Sequence, residues 1–263
     1  MPPTAARINF SETTLTHYTG FYATVLDDVF TPEECLELIS SATAHSPWTP
    51  AGLSAEGPTQ TVHSSFRNSD RILYVDAAVS QRIYERLRPL VEGDIGEIKV
   101  GSRWDGVTGK MRRKQGPSWR LVGVNPRLSF LRYGPGHYFK QHCDGLNDLV
   151  CDNGNVHKSF VTLHLYLNGS DRPFSDSNDS NSNTPSPSTN LKFVKLAQDD
   201  TDDPLAGGAT RFWTPDKKYF LDVLPRVGRV LVFQQRMLVH SGEEVTAGVK
   251  YTMRSDFMFE QVS

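Results

Sequence analysis

The stretch RYGPGHYFKQHCDG, residues 132–145, sets an imidazole and a carboxylate two positions apart, His142 and Asp144, directly after a run that reads as a strand. Residues two apart on a strand project from the same face, so both can reach one ion. The pair alone carries little, because short His/Asp triplets are common. Its meaning depends on a third ligand farther along the chain. His240 is the candidate: it follows the apolar run VLVFQQRMLV (230–239) and precedes a glycine-containing turn.

Around these residues the second half of the chain reads as strands. PRLSFLRY (126–133), SFVTLHLYLN (159–168), GGATRFW (207–213), RVLVFQQR (229–236) and VKYTMRSDFMF (249–259) are short, rich in β-branched or aromatic residues, and bounded by Gly, Pro or Asn. Short strands with no helical run between them predict a sandwich or barrel. The first half differs. TGFYATVLDDVF (19–30) reads as a strand and turn, and TPEECLELISSATAH (31–45) as a helix with Thr31 as N-cap and Pro32 in the first helical position. Glu33 and Glu34 suit the positive helix end. A second helix is expected in DAAVSQRIYERLRPLV (76–91), where Val79, Ile83 and Leu87 recur at i, i+4, i+8. The segment between them, 46–71, is rich in turn formers and reads as loop. The expected fold is mainly β with flanking helices, around a distorted jelly roll, a double-stranded β-helix. We expect a single domain over 1–263, with support from about 20–100 and the jelly-roll core over about 119–259.

One segment belongs to no core. SDSNDSNSNTPSPSTN (175–190) has no large apolar residue to offset its ordering entropy, so a mobile loop is expected over about 171–190. An insertion at a hairpin tip is the plainer explanation for it, a lid over the site the alternative.

Composition narrows the class. With 263 residues, 38 % hydrophobic, 22 % charged and a formal net charge of −2, the chain is long enough for a real core and lacks the basic excess of a nucleic-acid binder. Its cysteines, Cys35, Cys143 and Cys151, number three, with no CxxC, which argues against a disulfide framework or a cysteine zinc site. The N-terminal residues have no signal-peptide core, and no run approaches the roughly 18 apolar residues of a membrane span. A cytoplasmic protein without nucleic-acid or membrane partners is expected; oligomeric state is not legible.

His142, Asp144 and His240 together offer two imidazoles and one carboxylate, a facial set that leaves coordination positions open and is typical of non-heme Fe(II) oxygenases. Lys250 and Arg254 strengthen this. In VKYTMRSDFMF, positions 250, 252 and 254 share a face. Two cations on one face of an otherwise apolar strand are expensive inside a barrel unless an anion meets them, and a dicarboxylate co-substrate would supply it.

The sequence resembles the Fe(II)/2-oxoglutarate-dependent dioxygenases, in their prolyl 4-hydroxylase-like branch. Tyr133, Gly136, His142 and Asp144 match a Y-x-x-G-x-x-x-x-x-H-x-D pattern. Thr162 in VTLHLYLN, GGATRF (207–212), GRVLVF (228–233), the His240 to Lys250 spacing and the FTPEECLELI helix start also fit, covering about 20–259. Two departures stand out: Ala209 where a Glu often follows Gly-Gly, and Arg254, which lies outside the usual prolyl hydroxylase pattern. The tail, with RNSDR (67–71) and NPRL (125–128), is similar instead to a subgroup of small bacterial and fungal enzymes, which points away from a peptidyl-proline substrate.

The resemblance implies Fe(II) on the three ligands, 2-oxoglutarate as co-substrate and O2 in the last position, with 2-oxoglutarate decarboxylated to succinate and a substrate hydrogen removed. Lys250 is the expected partner of the distal 2-oxoglutarate carboxylate, with Tyr133 and Thr162 donating hydrogen bonds; Arg254 is the rival, since a guanidinium grips a carboxylate bidentately. Arg67, Asn68, Arg71, Asn125, Arg127 and His164 are weaker candidates for the substrate side, against capping, ion pairing or, for His164, a satisfied core position. Trp48, Trp104 and Trp119 are expected in packing, Cys143 outward and inert, and KMRRK (110–114) as a solvated loop. The expected activity is oxidation of an unactivated C–H bond of a small molecule, such as an amino acid or a secondary-metabolite intermediate. A peptidyl hydroxylase, a non-catalytic jelly-roll binding module and a zinc hydrolase are the alternatives.

Overall fold

A computed structural model describes residues 2–52, 63–108, 117–170 and 203–262. The 110–114 basic run and the 171–190 loop lie outside the described residues.

Helix α1 spans Pro32–His45. Its start is a reciprocal cap: the Glu34 N–H donates to Thr31 Oγ1 at 3.3 Å, and Glu34 Oε2 accepts from the Thr31 N–H at 2.8 Å. Cys35, Ile39 and Ala42 give it a buried stripe. Helix α2 spans Ala77–Ile95, capped by Asp76, whose Oδ1 accepts from the Val79 N–H at 2.8 Å. It runs past the sequence expectation by four residues and carries Pro89 inside it. The stripe Val79, Ile83, Leu87, Val91, Ile95 stays buried to the end, and this packing outweighs the loss of one helical N–H at Pro89.

The large antiparallel sheet orders its main path as Thr4–Arg7, Ala23–Asp27, Val230–Gln234, Val156–Tyr166, Lys250–Val262, Arg127–Tyr133, Asp70–Val75 and Thr49–Pro50. A second antiparallel sheet orders Phe220–Val223, Thr210–Trp213, His240–Gly242, Tyr138–His142 and Arg67–Asn68. The two face each other as a jelly roll, as expected. The region 46–71, read as loop, contributes Thr49–Pro50, Arg67–Asn68 and the first residues of Asp70–Val75. Its strands carry no period-2 pattern of their own. They form because partners await them: Arg67 pairs with Phe139, and Arg71 with Leu131.

Alternation along two central strands sorts the chemistry. On Lys250–Val262, Tyr251, Met253, Phe257 and Phe259 join the core under the helices, with Val161, Leu163 and Leu165 of the neighbouring strand. The intervening residues, Lys250, Thr252, Arg254 and Asp256, share the opposite face with Thr162, His164 and Tyr166. That second face is buried too, but it looks into the space between the sheets. Phe10, Tyr18, Tyr166, Phe212, Leu231 and Phe233 fill one end of that space. Leu131, Tyr133, Leu205 and Val245 form a smaller apolar cluster with Phe139. The polar stripe lies on the same inner face as these clusters.

Two glycines permit close approach. Gly228 has φ +74°, and a Cβ there would lie 1.9 Å from the Phe30 carbonyl oxygen. Gly208 has φ +72°, and a Cβ would meet Lys250 Cδ at 3.0 Å.

Candidate metal centre

His142 closes the Tyr138–His142 strand, and His240 opens His240–Gly242. The two are cross-strand partners. A register shift in this pairing sets Phe139 opposite Gly242. It puts Phe139 against His142, with the rings stacked at 3.7 Å and 25°. Asp144 lies beyond the strand end, so the two-residue spacing does not act through strand alternation as expected. Its carboxylate is instead held from the opposite sheet. Thr162 Oγ1 donates to Oδ2 at 2.6 Å, and Arg254 NH2 lies 3.2 Å from Oδ1.

The donor atoms of His142, Asp144 and His240 all lie within 4.8 Å of one another. His142 Nε2 is 3.8 Å from Asp144 Oδ1, and His240 Nε2 is 3.8 Å from Oδ2. These separations are too long for hydrogen bonds and suit donors that share an ion. Each imidazole is oriented at its far nitrogen: Nδ1 of His142 meets the Lys140 carbonyl at 2.7 Å, and Nδ1 of His240 meets that of Leu238 at 3.1 Å. A proton on Nδ1 donates to the carbonyl and leaves the Nε2 lone pair facing the site. Phe233 presses on His240 at 4.8 Å between centroids.

The protonation states agree with ligation. Burial, with help from His240, pushes His142 down to about 3, against the pull of Asp144. Burial also lowers His240. Both rings are therefore neutral near pH 7, the form that binds metal. Burial alone would raise Asp144, but Arg254, His240, His142 and the Thr162 hydroxyl together hold it below the usual carboxylate range. One anion and two neutral imidazoles converge on a single point, which is the facial donor set of non-heme iron enzymes.

A sequence profile of the 2OG-Fe(II) oxygenase superfamily matches residues 128–255, which contain all three ligands, Thr162, Lys250 and Arg254. The chain carries a 2OG-Fe(II) oxygenase superfamily domain over these residues. It is an enzyme of the dioxygenase type, and the superfamily uses Fe(II), 2-oxoglutarate and O2. No curated protein matches the chain. Among solved structures, a Pseudomonas putida prolyl-4-hydroxylase is 16 % identical, with 89 % of this chain and 91 % of that one covered and a TM-score of 0.48. A viral collagen prolyl hydroxylase from Paramecium bursaria chlorella virus-1, in a complex with 2OG, is 16 % identical, with 90 % and 96 % covered and a TM-score of 0.45. A Trichoplax adhaerens prolyl hydroxylase, in complex with a hypoxia inducible factor peptide, is 14 % identical, with 89 % and 82 % covered and a TM-score of 0.48.

The oxygenase fits its co-substrate as well as its metal. Lys250 is 2 % exposed, and its ammonium donates to the Gly208 carbonyl at 2.7 Å over the Tyr133 ring at 4.4 Å. It makes no ion pair among the described residues. Burial pushes it down from 10.5 to about 7, with Glu243 opposing. On the same inner face, His164 Nε2, Thr252 Oγ1 and Arg254 Nε are buried without hydrogen-bond partners. A buried cation without an acid, flanked by unpartnered polar atoms, is what an anionic ligand of this size would satisfy.

Other sequence-nominated residues divide. Arg254 is already met by two carboxylates, Asp144 and Asp256, each at 3.2 Å. Burial opposes its charge, and these two acids more than restore it. Thr162 donates to Asp144, so its single hydroxyl proton is committed there and not to a co-substrate. Asn125 has a capping role: its Oδ1 accepts from the Arg127 N–H at 3.0 Å, and its carbonyl accepts from Ser255 at 2.8 Å. Asn68 sits half-buried beside Tyr138, and Arg127 is exposed. Trp104 and Trp119 are core residues, Trp48 packs on Tyr251, and Cys143 is exposed.

Sequence reasoning missed Asp256. It accepts from Gln235 Nε2 and Asn147 Nδ2, both at 2.7 Å, while Ser159 Oγ donates to Gln235 at 2.9 Å and accepts from the Asn147 N–H at 2.7 Å. The available signal was its place in the 250, 252, 254, 256 series.

Proposed function

We propose that this oxygenase uses Fe(II), O2 and 2-oxoglutarate to oxidise an unactivated C–H bond of a small molecule. The observation that carries the reading is one inner sheet face that brings Lys250, a buried lysine with no ion pair among the described residues, onto the same strand face as Arg254, which contacts Asp144 of the His142, Asp144, His240 cluster. When bound, iron and 2-oxoglutarate supply the oxidising chemistry, with succinate and CO2 as co-products.

The residues divide the remaining work. His142, Asp144 and His240 hold the metal. Lys250 takes the distal carboxylate of 2-oxoglutarate, with Tyr133 beneath it, and His164 and Thr252 offer further polar contacts. Arg254 and Thr162 fix the Asp144 carboxylate from behind. The ligand side chains are recessed, at 15 %, 8 % and 8 % exposure for His142, Asp144 and His240, which favours a compact substrate. A cytoplasmic location is part of this proposal. Cys35, Cys143 and Cys151 are free, and no described helix is long and apolar enough to cross a membrane.

The test is anaerobic addition of Fe(II) and 2-oxoglutarate, followed by visible spectroscopy for the charge-transfer band of the chelate. The band is expected in the native protein, absent in His240→Ala, and weak in Lys250→Met at 2-oxoglutarate concentrations that saturate the native protein. No band from native protein that has bound Fe(II) would sink the reading.

A further inference from the structure

Three arginines lie on the inner faces of the two sheets that carry the proposed iron site, with Arg127 exposed at the edge. On Arg127–Tyr133, Leu128 and Phe130 face the helices, so Arg127 shares the inner face with Leu131 and Tyr133. Arg71 is the cross-strand partner of Leu131, and directly paired residues lie on one face. From the opposite sheet, the Arg67 guanidinium lies over the Phe139 ring at 4.6 Å, and that ring stacks on His142. Arg67 is therefore one ring away from a metal ligand. It is 9 % exposed, and its Nε donates to Ser69 Oγ at 3.1 Å.

Neither Arg67 nor Arg127 has an acidic partner among the described residues. Arg132, on the other face of the same strand, shows the contrast: it pairs with Asp70 at 2.8 Å. Arg71 feels the charges of the other two. Arg71 is pushed down to about 10, by burial first and then by the charges of Arg67 and Arg127. Arg67 and Arg127, two like charges with no acid among the described residues to answer them, make an anion site. Lys250 serves a separate position, beside Gly208 and Tyr133.

We propose that the substrate carries an oxyanion, a carboxylate or a phosphate, which Arg67 and Arg127 grip so that its C–H bond faces the iron. This rests on the oxygenase reading above and adds the substrate class. Arg71 reinforces the field. The guanidiniums act as specificity determinants by holding the anion at a fixed distance from the metal.

The test uses metal-free protein loaded with Mn(II) and saturating 2-oxoglutarate, and reads proton line-broadening of added probes by NMR. The probes are N-acetylglycine, its neutral amide, and methyl phosphate. One or both anions are expected to broaden while 2-oxoglutarate stays broadened, and the amide is expected to stay sharp. The stronger anion identifies carboxylate or phosphate. Single Arg127→Met and Arg67→Met variants, compared at equal 2-oxoglutarate occupancy, should each weaken the anion about tenfold or more, the usual effect of losing one charged hydrogen-bond partner. Arg127 is exposed, so its variant keeps the test sound if Arg67→Met folds poorly. Equal broadening by acid and amide, anions that displace 2-oxoglutarate, sharp anions beside broadened 2-oxoglutarate, or native-like anion affinity in both variants would each overturn the assignment. Sharp 2-oxoglutarate signals with Mn(II) bound would overturn the oxygenase-site reading beneath it.

Discussion

Lys250→Met should separate the stability of this protein from its co-substrate binding, and in a pH-dependent way. Burial holds the Lys250 ammonium at about 7 instead of 10.5. Below pH 7 it is protonated in both folded and unfolded chains, and the full burial penalty stands, on the order of 5 kcal/mol from this shift. Between pH 7 and 10.5 the unfolded chain binds the extra proton, so native stability recovers by about 1.4 kcal/mol per pH unit. Methionine keeps the apolar stem beside Gly208 and Val245 and removes the charge. It also leaves the Gly208 carbonyl without its donor, which costs about 1–3 kcal/mol, and forfeits the Tyr133 cation–π contact, about 2 kcal/mol when desolvated. The variant is therefore expected near or above native stability at pH 6. Its advantage should fall by about 3 kcal/mol between pH 6 and pH 9. Urea unfolding of metal-free, co-substrate-free protein at both pH values reads the difference directly, and other titrating groups cancel in the comparison. With metal restored, 2-oxoglutarate at 100 times its Kd should stabilise the native protein by about 2.7 kcal/mol and the variant much less. A stability difference that does not change with pH would refute the picture of a buried, uncompensated ammonium.

Three further outcomes follow from specific contacts. Asp256→Asn removes one of the two acids on Arg254 and loosens its hold on Asp144, so metal affinity should fall about 10–100-fold, measured by competition with a chelator; unchanged affinity would show that Arg254 needs only Asp144. Thr31→Ala breaks the reciprocal cap of α1 and should lower unfolding free energy by about 1 kcal/mol in urea titrations, with 2-oxoglutarate affinity untouched. Gly228→Ala drives a Cβ into the Phe30 carbonyl oxygen at 1.9 Å in a left-handed backbone; destabilisation above about 3 kcal/mol is expected in the same assay, and a loss below about 1 kcal/mol would mean that this turn relaxes freely.

The triad was legible because its members are rare residue types in a recognisable order. His142 and Asp144 sit after a strand, and His240 follows another. The central strands were legible because β-branched and aromatic runs between turn formers leave few alternatives, and the cap of α1 is written in Thr31, Pro32 and Glu34. Where strands lacked that pattern, reading failed. Arg67–Asn68 and Thr49–Pro50 pair only because sheet edges receive them. Helix α2 continued four residues past Val91 because Ile95 had a core to enter.

Lys250 and Arg254 show the division most clearly. Spacing alone placed both cations on one inner face, since a strand repeats every two residues. It could not say which one lacks a counter-charge, because the acids that answer Arg254 come from different places in the chain: Asp256 two residues on, and Asp144 more than a hundred residues back, across the sandwich. The same holds for Thr162, whose hydroxyl was expected on a co-substrate and is taken by Asp144. Residue type and period determined which groups line the cleft. Their partners were decided only by the packing of the two sheets, because a hydrogen bond depends on ångström distances between strands that sequence order does not encode.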